Sequence, residues 1–382
     1  MSLHVFLIAG EPSGDRLGAA AMRGLRRLVP EVRFSGIGGD EMARQGLTSL
    51  FAMSDLSVMG LTEVLPRLRH LFRRRDQTVE AILADPPDVL LTIDSPDFCL
   101  RVAKAVRARA GVRIVHYVAP SVWAWRPGRA ARMAPHVDQV LALLPFEPPY
   151  MEAAGIPCDF VGHPVVSDPQ ATAEEEAALR EELGIGAGPM ILALPGSRAG
   201  EVARLADRFG ETLSRVCARH PGARVVLPAG GAVADLVREK IADWVPPPLV
   251  LLPRNDPDGA RKRAALAAAD VALAASGTVS LELAAAGTPM VIGYDSSWTT
   301  RQIAKRMLLI DRVCLVNLVT DSHVVPEFIG EACRPGPMAD ALCAVLEAPG
   351  PQRRALDDTM RQLGRDGEDP GLRAARAILS RL

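Results

Sequence analysis

Five clusters of residues could carry chemistry, and each follows a short apolar run. The first is Gly10-Glu11-Pro12-Ser13-Gly14-Asp15. Its two glycines let a ligand approach the backbone, and a helix opening behind them offers unpaired N–H groups. A plain tight turn with Ser13 capping that helix accounts for it equally well. The second cluster, Asp94-Ser95-Pro96-Asp97-Phe98, sets two carboxylates close together, and either could take a proton as a general base. Asp97 reads equally as the cap of the helix Phe98–Arg109, and one residue can do both. The third, from Tyr117 to Arg126, holds two of the four tryptophans, Trp123 and Trp125. Such a loop can form a platform for a sugar or acyl chain, although packing is the commoner use. His163, in Gly162-His163-Pro164, reads as either a packing histidine or an acid/base.

The remaining two clusters suit a diphosphate. In Leu194-Pro195-Gly196-Ser197-Arg198 a guanidinium sits beside a glycine turn and a helix start, which together offer bidentate charge-assisted bonds and backbone donors. The plain alternative is a surface arginine paired with Glu201. In Ala275-Ser276-Gly277-Thr278-Val279-Ser280-Leu281-Glu282 small residues again end a run and open a helix. Its N–H groups and Thr278 could hold phosphate, and Glu282 could accept both hydroxyls of a ribose. If Glu282 is buried, a ligand or a nearby cation must account for its charge.

The elements that must position these clusters alternate between short apolar runs and helical patterns, the signature of a parallel α/β architecture. Strands are expected at His4–Gly10, Arg33–Gly38, Asp88–Ser95, Arg113–Ala119, Gln139–Pro145 and Asp159–His163, then at Met190–Leu194, Ala223–Pro228, Leu249–Pro253, Asp270–Ala275 and Pro289–Tyr294. Between Val165 and Gly188 the pattern breaks at Pro169, the acidic run Glu174-Glu175-Glu176 and three glycines. The expectation is two Rossmann-like, doubly wound domains, residues 1–168 and 186–349, with a cleft between them. Helices from about residue 350 are expected to pack back on the first. Ligands in such sheets bind at the carboxyl ends of the strands, where all five clusters fall.

With 382 residues, 48% hydrophobic and 23% charged, the chain has the makings of a two-core globular protein. A net charge of −1 argues against nucleic acid as a partner, so any basic surface must be local. Six scattered cysteines without CxxC spacing read as reduced thiols. No secretory leader and no membrane-spanning stretch is evident, so a cytoplasmic protein is expected.

Taken in order from residue 9 to 328, the segments AGEPSGD, VMGLTEVLP, DSPDF, YVAPSVWAW, LPFE, VGHP, LPGSR, SGTVSLE and VPEF closely resemble the lipid-A-disaccharide synthase family. The resemblance implies a GT-B fold. It also implies inverting transfer of 2,3-diacylglucosamine from UDP-2,3-diacylglucosamine to 2,3-diacylglucosamine 1-phosphate, giving a β-1,6 disaccharide and UDP. By it, Asp97 and, in support, Asp88 match catalytic carboxylates. Glu11, Ser13 and Asp15 match an acceptor loop. Gly196, Ser197, Arg198, Ser276, Gly277, Thr278, Glu282 and Asn317 match the donor side. No cofactor and no metal are expected, because Arg198 and two helix starts can stabilise the leaving diphosphate. The chain departs from the family pattern at Val316, where Pro is common, at Gly330, where Gln is common, and at Cys99, a frequent Asn.

Acylated substrates imply work at an anionic membrane surface, peripherally on the inner face of the inner membrane. The segment Val58-Met59-Gly60-Leu61 with Val64-Leu65 precedes Pro66, which is expected to start a helix bearing Arg67, Arg69, Arg73, Arg74 and Arg75. Leu68, Leu71, Phe72, Val79, Ile82 and Leu83 form its apolar stripe, and the whole reads as a membrane-docking face or as an ordinary half-buried helix. The sequence leaves a homodimer open. Rival readings are a UDP-sugar epimerase, a muramyl-lipid glycosyltransferase or a non-catalytic two-lobed binding protein. A nicotinamide dehydrogenase is disfavoured because G-x-G-x-x-G is absent.

Overall fold

A computed structural model describes residues 3–56, 61–297, 301–302 and 306–382, and for 61–67 the backbone alone. The chain forms two units, Met1–Ser167 with Leu363–Leu382, and Asp168–Gln362.

The first unit is built on a parallel sheet in the order β2-β1-β3-β4-β5-β6. Its strands are β1 Leu3–Ala9, β2 Val32–Ile37, β3 Val89–Ile93, β4 Arg113–Tyr117, β5 Gln139–Ala142 and β6 Cys158–Phe160. Every residue of β1, β3 and β5 is buried, as their unbroken apolar runs require of strands covered on both faces. The second unit repeats the plan in the order β12-β11-β10-β7-β8-β9. There the strands are β7 Met190–Leu194, β8 Arg224–Pro228, β9 Leu249–Leu251, β10 Val271–Ala274, β11 Met290–Tyr294 and β12 Glu327–Ile329. The last is three residues long and has no counterpart among the expected strands.

In each sheet the strand order reverses beside the first strand. From β1 the chain steps outward to β2 and then crosses back to β3 on the other side. From β7 it steps to β8 and β9, then crosses back to β10. At such reversals the two flanking loops diverge and leave a crevice at the carboxyl ends. The loops flanking the first reversal are Gly10–Asp15 and Asp94–Asp97; those flanking the second are Gly196–Arg198 and Ser276–Thr278.

The opposite edge is held by one device used three times. Asp88, one residue before β3, accepts the N–H of His4 on β1 at 2.7 Å, while its own N–H donates to the His4 carbonyl at 2.9 Å. Asp138 before β5 does the same with Ile114 of β4, at 2.7 and 2.8 Å. Asp270 before β10 does so with Met190 of β7, at 2.8 and 2.9 Å. Each aspartate closes a two-bond ring that fixes the register where two parallel strands begin. Asp88 therefore stands a full strand length, about 16 Å, from Asp97. Its reading as a supporting catalytic residue is corrected: it is a register latch.

The connection between the units carries the helix Ala173–Glu182, whose acidic start is explained by a capping box between Thr172 and Glu175. The expected return of the tail from about residue 350 is also corrected. The helix Gly350–Gln362 stays with the second unit, where the Gln352 side chain pairs with the Met290 backbone in both directions, at 2.8 and 3.0 Å. Only Leu363 onward rejoins the first unit. There the helix Pro370–Leu379 crosses the helix Pro12–Leu28 at two glycines, Gly24 and Gly371. A Cβ on Gly371 would lie 2.6 Å from the carbonyl oxygen of Ala20, so the backbones meet only because neither has a side chain there. Gly371→Val should destabilise this unit by about 1–3 kcal/mol, the cost of overpacking a close contact. Urea denaturation checks this, and an unchanged midpoint would mean that the crossing relaxes freely.

Candidate active site

At the carboxyl edge of the first sheet, β1 leads into Gly10 and β3 into Asp94. The two loops touch: a Cβ on Gly10 would stand 2.5 Å from Ser95 Oγ. Asp94 and Ser95 both adopt left-handed backbone, φ 50° and 41°, which costs energy for residues with a Cβ and is held by the Asp94 N–H donating to the Tyr117 carbonyl at 2.9 Å. Burial pushes the Asp94 carboxyl up from the usual range, against a backbone hydrogen bond from Ser95. Asp97 differs. It lies in the first turn of the helix Pro96–Arg107, its side chain is 96% exposed, and it accepts Arg129 Nη2 at 3.3 Å. The capping position belongs to Ser95, so the alternative of Asp97 as the helix cap is set aside.

The Gly10–Asp15 loop serves differently from its reading. Glu11, not Ser13, occupies the capping position of the helix Pro12–Leu28, and Ser13 is exposed one residue further in. Asp15 is buried and accepts the N–H groups of Gly39, Glu41 and Met42 at 2.8, 2.9 and 3.1 Å. It therefore caps the neighbouring helix Asp40–Arg44, and a buried carboxylate held by three N–H groups is a structural cap, which corrects its assignment to the acceptor. Beside it opens a hollow of about 680 Å³, lined among others by Pro12, Arg16, Gly39, Ala52 and Met53.

Trp123 packs edge-on to Phe146 with centroids 5.1 Å apart and donates its indole N–H to Glu147 at 3.2 Å. Trp125 remains 38% exposed, with the Arg126 guanidinium over its ring at 4.3 Å. His163 accepts the Val165 N–H at 3.2 Å, and desolvation lowers its imidazole to about 4, so it is neutral and packs where the tail rejoins the unit.

In the second unit Gly196 has φ 116°, and a Cβ there would meet the Glu201 side chain at 2.6 Å. Glu201 reaches back to the N–H groups of Ser197 and Arg198, at 3.2 and 3.4 Å, and to the Arg198 guanidinium at 3.1 Å. Arg198 itself is 66% exposed, so it can leave this pairing without unmaking the turn. Across the reversal, Gly277 has φ 145° and no described atom within 4 Å of a would-be Cβ, leaving the Ser276–Thr278 turn open. Glu282 is half-exposed and paired with Lys262 at 2.5 Å, which answers the charge question posed by its sequence. Asn317 is fully buried. It donates to the Val325 carbonyl at 2.8 Å and to Glu327 at 2.6 Å, and accepts the Val325 N–H at 3.0 Å. Glu327 in turn accepts the N–H groups of Val313 and Cys314. Asn317 is thus corrected from a donor contact to the centre of a clamp on the loop between Val313 and β12.

The family profile described as Lipid-A-disaccharide synthetase matches residues 5–372 of this chain. A lipid-A-disaccharide synthase of Ruegeria pomeroyi is 60% identical over 383 aligned positions, covering 100% of this chain and 96% of that one. The chain belongs to the lipid-A-disaccharide synthase family. Among solved structures, a UDP-GlcNAc 2-epimerase of Neisseria meningitidis aligns with TM-score 0.61 at 12% identity, over 99% of this chain and 98% of that one. MurG of Acinetobacter baumannii aligns with TM-score 0.58 at 14% identity, over 100% of both. At such identities the likeness is one of fold, and the fold is GT-B, as expected for a glycosyltransferase of this family.

Two residues of this synthase-family chain were missed in the sequence. Arg129 meets Asp97 from the helix Gly128–Met133, and Glu147 holds the tryptophan loop from 24 residues away. Glu147, in the LPFE segment, also accepts the N–H groups of Leu143 and Leu144 at 3.2 and 3.0 Å. Burial pushes its carboxyl up to about 7, against those hydrogen bonds. Its folded value thus lies above the unfolded one, about 4.3. The stability it contributes is full below the unfolded value and is lost as pH rises through about 7. Between pH 4.5 and 8 the first unit should lose on the order of 1–3 kcal/mol from this group. Glu147→Gln should flatten that part of the curve in denaturant titrations; an unaltered slope would acquit Glu147.

Proposed function

We propose that the chain transfers 2,3-diacylglucosamine from its UDP derivative to the 6-hydroxyl of 2,3-diacylglucosamine 1-phosphate, with inversion. The acceptor oxygen bonds to the anomeric carbon, the bond from that carbon to UDP breaks, and UDP leaves with the electron pair. Asp97 takes the hydroxyl proton. The observation that carries this reading is the Asp97 carboxylate, 96% exposed at the strand reversal of the first unit, where its neighbours Asp15, buried, and Asp94, half-buried, are engaged or desolvated. Glu11 and Ser13 border the acceptor, whose acylated sugar takes the hollow beside Met53. On the donor side, Gly196, Ser197 and Arg198 with Ser276, Gly277 and Thr278 hold the diphosphate through backbone donors and one exposed guanidinium. Glu282 meets the ribose hydroxyls.

Mass spectrometry of the products from both acylated sugars tests the reaction: a disaccharide phosphate with one UDP released is expected. Conversion of the donor alone would instead mark an epimerase. Asp97→Asn should lower turnover about 10²–10⁴-fold, the range for losing a general base, with UDP affinity kept. Near-normal turnover would remove Asp97 from the mechanism.

We further propose peripheral docking on the anionic inner face of the inner membrane through the helix Leu61–Ala84. This helix starts five residues ahead of Pro66, so the reading of Pro66 as its start is corrected. Val58, Met59 and Gly60 lie outside the described residues, as do the side chains of Leu61 and Leu65. Arg74 is withdrawn from the docking face, because it pairs with Asp55 at 2.5 Å and covers Phe51 at 4.5 Å. Arg69 and Arg73 are exposed beside Phe72, itself 39% exposed between the guanidinium groups of Arg75 and Arg101. Each basic residue near an anionic surface contributes on the order of 1 kcal/mol, screened by salt. Changing Arg69 and Arg73 together to Ser should weaken sedimentation with anionic vesicles about tenfold or more, with UDP affinity unchanged; equal sedimentation would make this an ordinary solvated face.

A further inference from the structure

The carboxyl edge of the second sheet continues past β10 to β11 and β12. Adjacent strands lie about 4.8 Å apart, so the end of β11 is one strand from the Ser276–Thr278 turn. Asp295 follows β11 and is 5% exposed. Both of its oxygens are already engaged: Oδ2 accepts Arg208 Nη1 at 2.8 Å, and Oδ1 accepts the Ser296 N–H at 2.9 Å. A second guanidinium still approaches. Arg301 Nε stands 3.5 Å from Oδ1, too far for a hydrogen bond, and this buried nitrogen has no hydrogen-bond partner among the described residues. Two cations thus share one carboxylate, and the surplus positive charge belongs to Arg301.

The stem of Arg301 runs over Gly330, at the end of β12. A Cβ on Gly330 would come 3.1 Å from Arg301 Cδ, and Gly330 has φ 63°, a left-handed backbone that suits glycine. The backbone at position 330 therefore favours glycine, and an arginine stem lies across it. A guanidinium steadied by a carboxylate and a packed stem is a pre-aimed fork for anionic oxygens.

We propose that Arg301 is a specificity-determining residue of the donor site, binding the anionic oxygens of a nucleoside diphosphate from the side left bare by Gly330. The proposal rests on the assignment of the donor to the second unit. Asp295 is its positioning partner, and Arg208 neutralises Asp295 so that Arg301 keeps its charge for the ligand.

Isothermal calorimetry with UDP and with uridine separates the outcomes. Arg301→Ala should weaken UDP about ten- to hundredfold, the effect of losing a charge-assisted hydrogen bond, and leave uridine affinity unchanged. Arg301→Lys should recover part of the loss. Arg301→Gln keeps much of the stem over Gly330 and should behave like Arg301→Ala; it stands in if the alanine variant does not fold. UDP affinity within twofold of the unaltered protein in either variant would overturn the proposal. So would a parallel fall in UDP and uridine affinity, which would mean that Arg301 only props the Gly330 turn. The assignment it rests on fails differently: the unaltered protein would bind no UDP, or Arg198→Ala would bind it as well as the parent does.

Discussion

The reversal of strand order beside the first strand of each unit is the constraint from which the site follows. A parallel sheet covered on both faces has no free backbone donors along its length, because every N–H is spent on a neighbouring strand. Donors become available only where strands stop, and room for a ligand only where successive crossovers part to opposite sides. In the first unit that place falls between β1 and β3, in the second between β7 and β10. Every cluster proposed to touch a substrate is attached to one of these four strands or to the neighbours immediately beyond. The three aspartate latches at the opposite edge fix register there, and a one-residue slip would carry each loop out of alignment with its partner.

The loops themselves are shaped by the chain's own carboxylates, each taking N–H groups that would otherwise be unpaired. Asp15 holds three in the Gly39–Met42 turn, Glu201 holds two at Ser197 and Arg198, Glu147 holds two at Leu143 and Leu144, and Glu327 holds two at Val313 and Cys314. A carboxylate fixed this way makes a turn rigid before any ligand arrives, and preorganised donors cost no reorganisation at the moment of reaction. It also explains why acidic residues crowd the motifs of a protein proposed to bind an anionic donor. Their charge is spent inward on backbone N–H groups, while Arg198 and Arg301 supply the cations.

The strands were legible because burial on both faces forces unbroken apolar runs, and eleven of the expected runs coincide with strands. β12 escaped because three residues, Glu327-Phe328-Ile329, carry no period. The donor turns were legible as glycine-bearing strand ends. The misread residues were carboxylates and amides whose partners are backbone groups far away in sequence: Asp15 with Gly39, Asp88 with His4, Asn317 with Val325. Sequence pattern reports hydrophobic period well and hydrogen-bond partners hardly at all. One clue existed for Asp88, since Asp138 and Asp270 also stand immediately before apolar runs, where no catalytic motif begins. Arg129 and Arg301 gave no signal, because each acts through a partner on a different loop.

The same accounting selects the base. A carboxylate serves as a general base only if it is reachable and able to exchange its present partner for the substrate hydroxyl. Asp88 fails the first condition, being at the other end of β3. Asp15 fails the second, with three N–H donors that would be orphaned if it moved. Asp94 is held in a left-handed turn, and burial raises its carboxyl above the usual range. Asp97 meets both conditions. Its contact with Arg129 is long at 3.3 Å and lies in water, where such pairs are weak and easily traded. Arg129, only 22% exposed, is the more buried half of that pair, so an arriving hydroxyl would displace only a loose contact to reach the carboxylate.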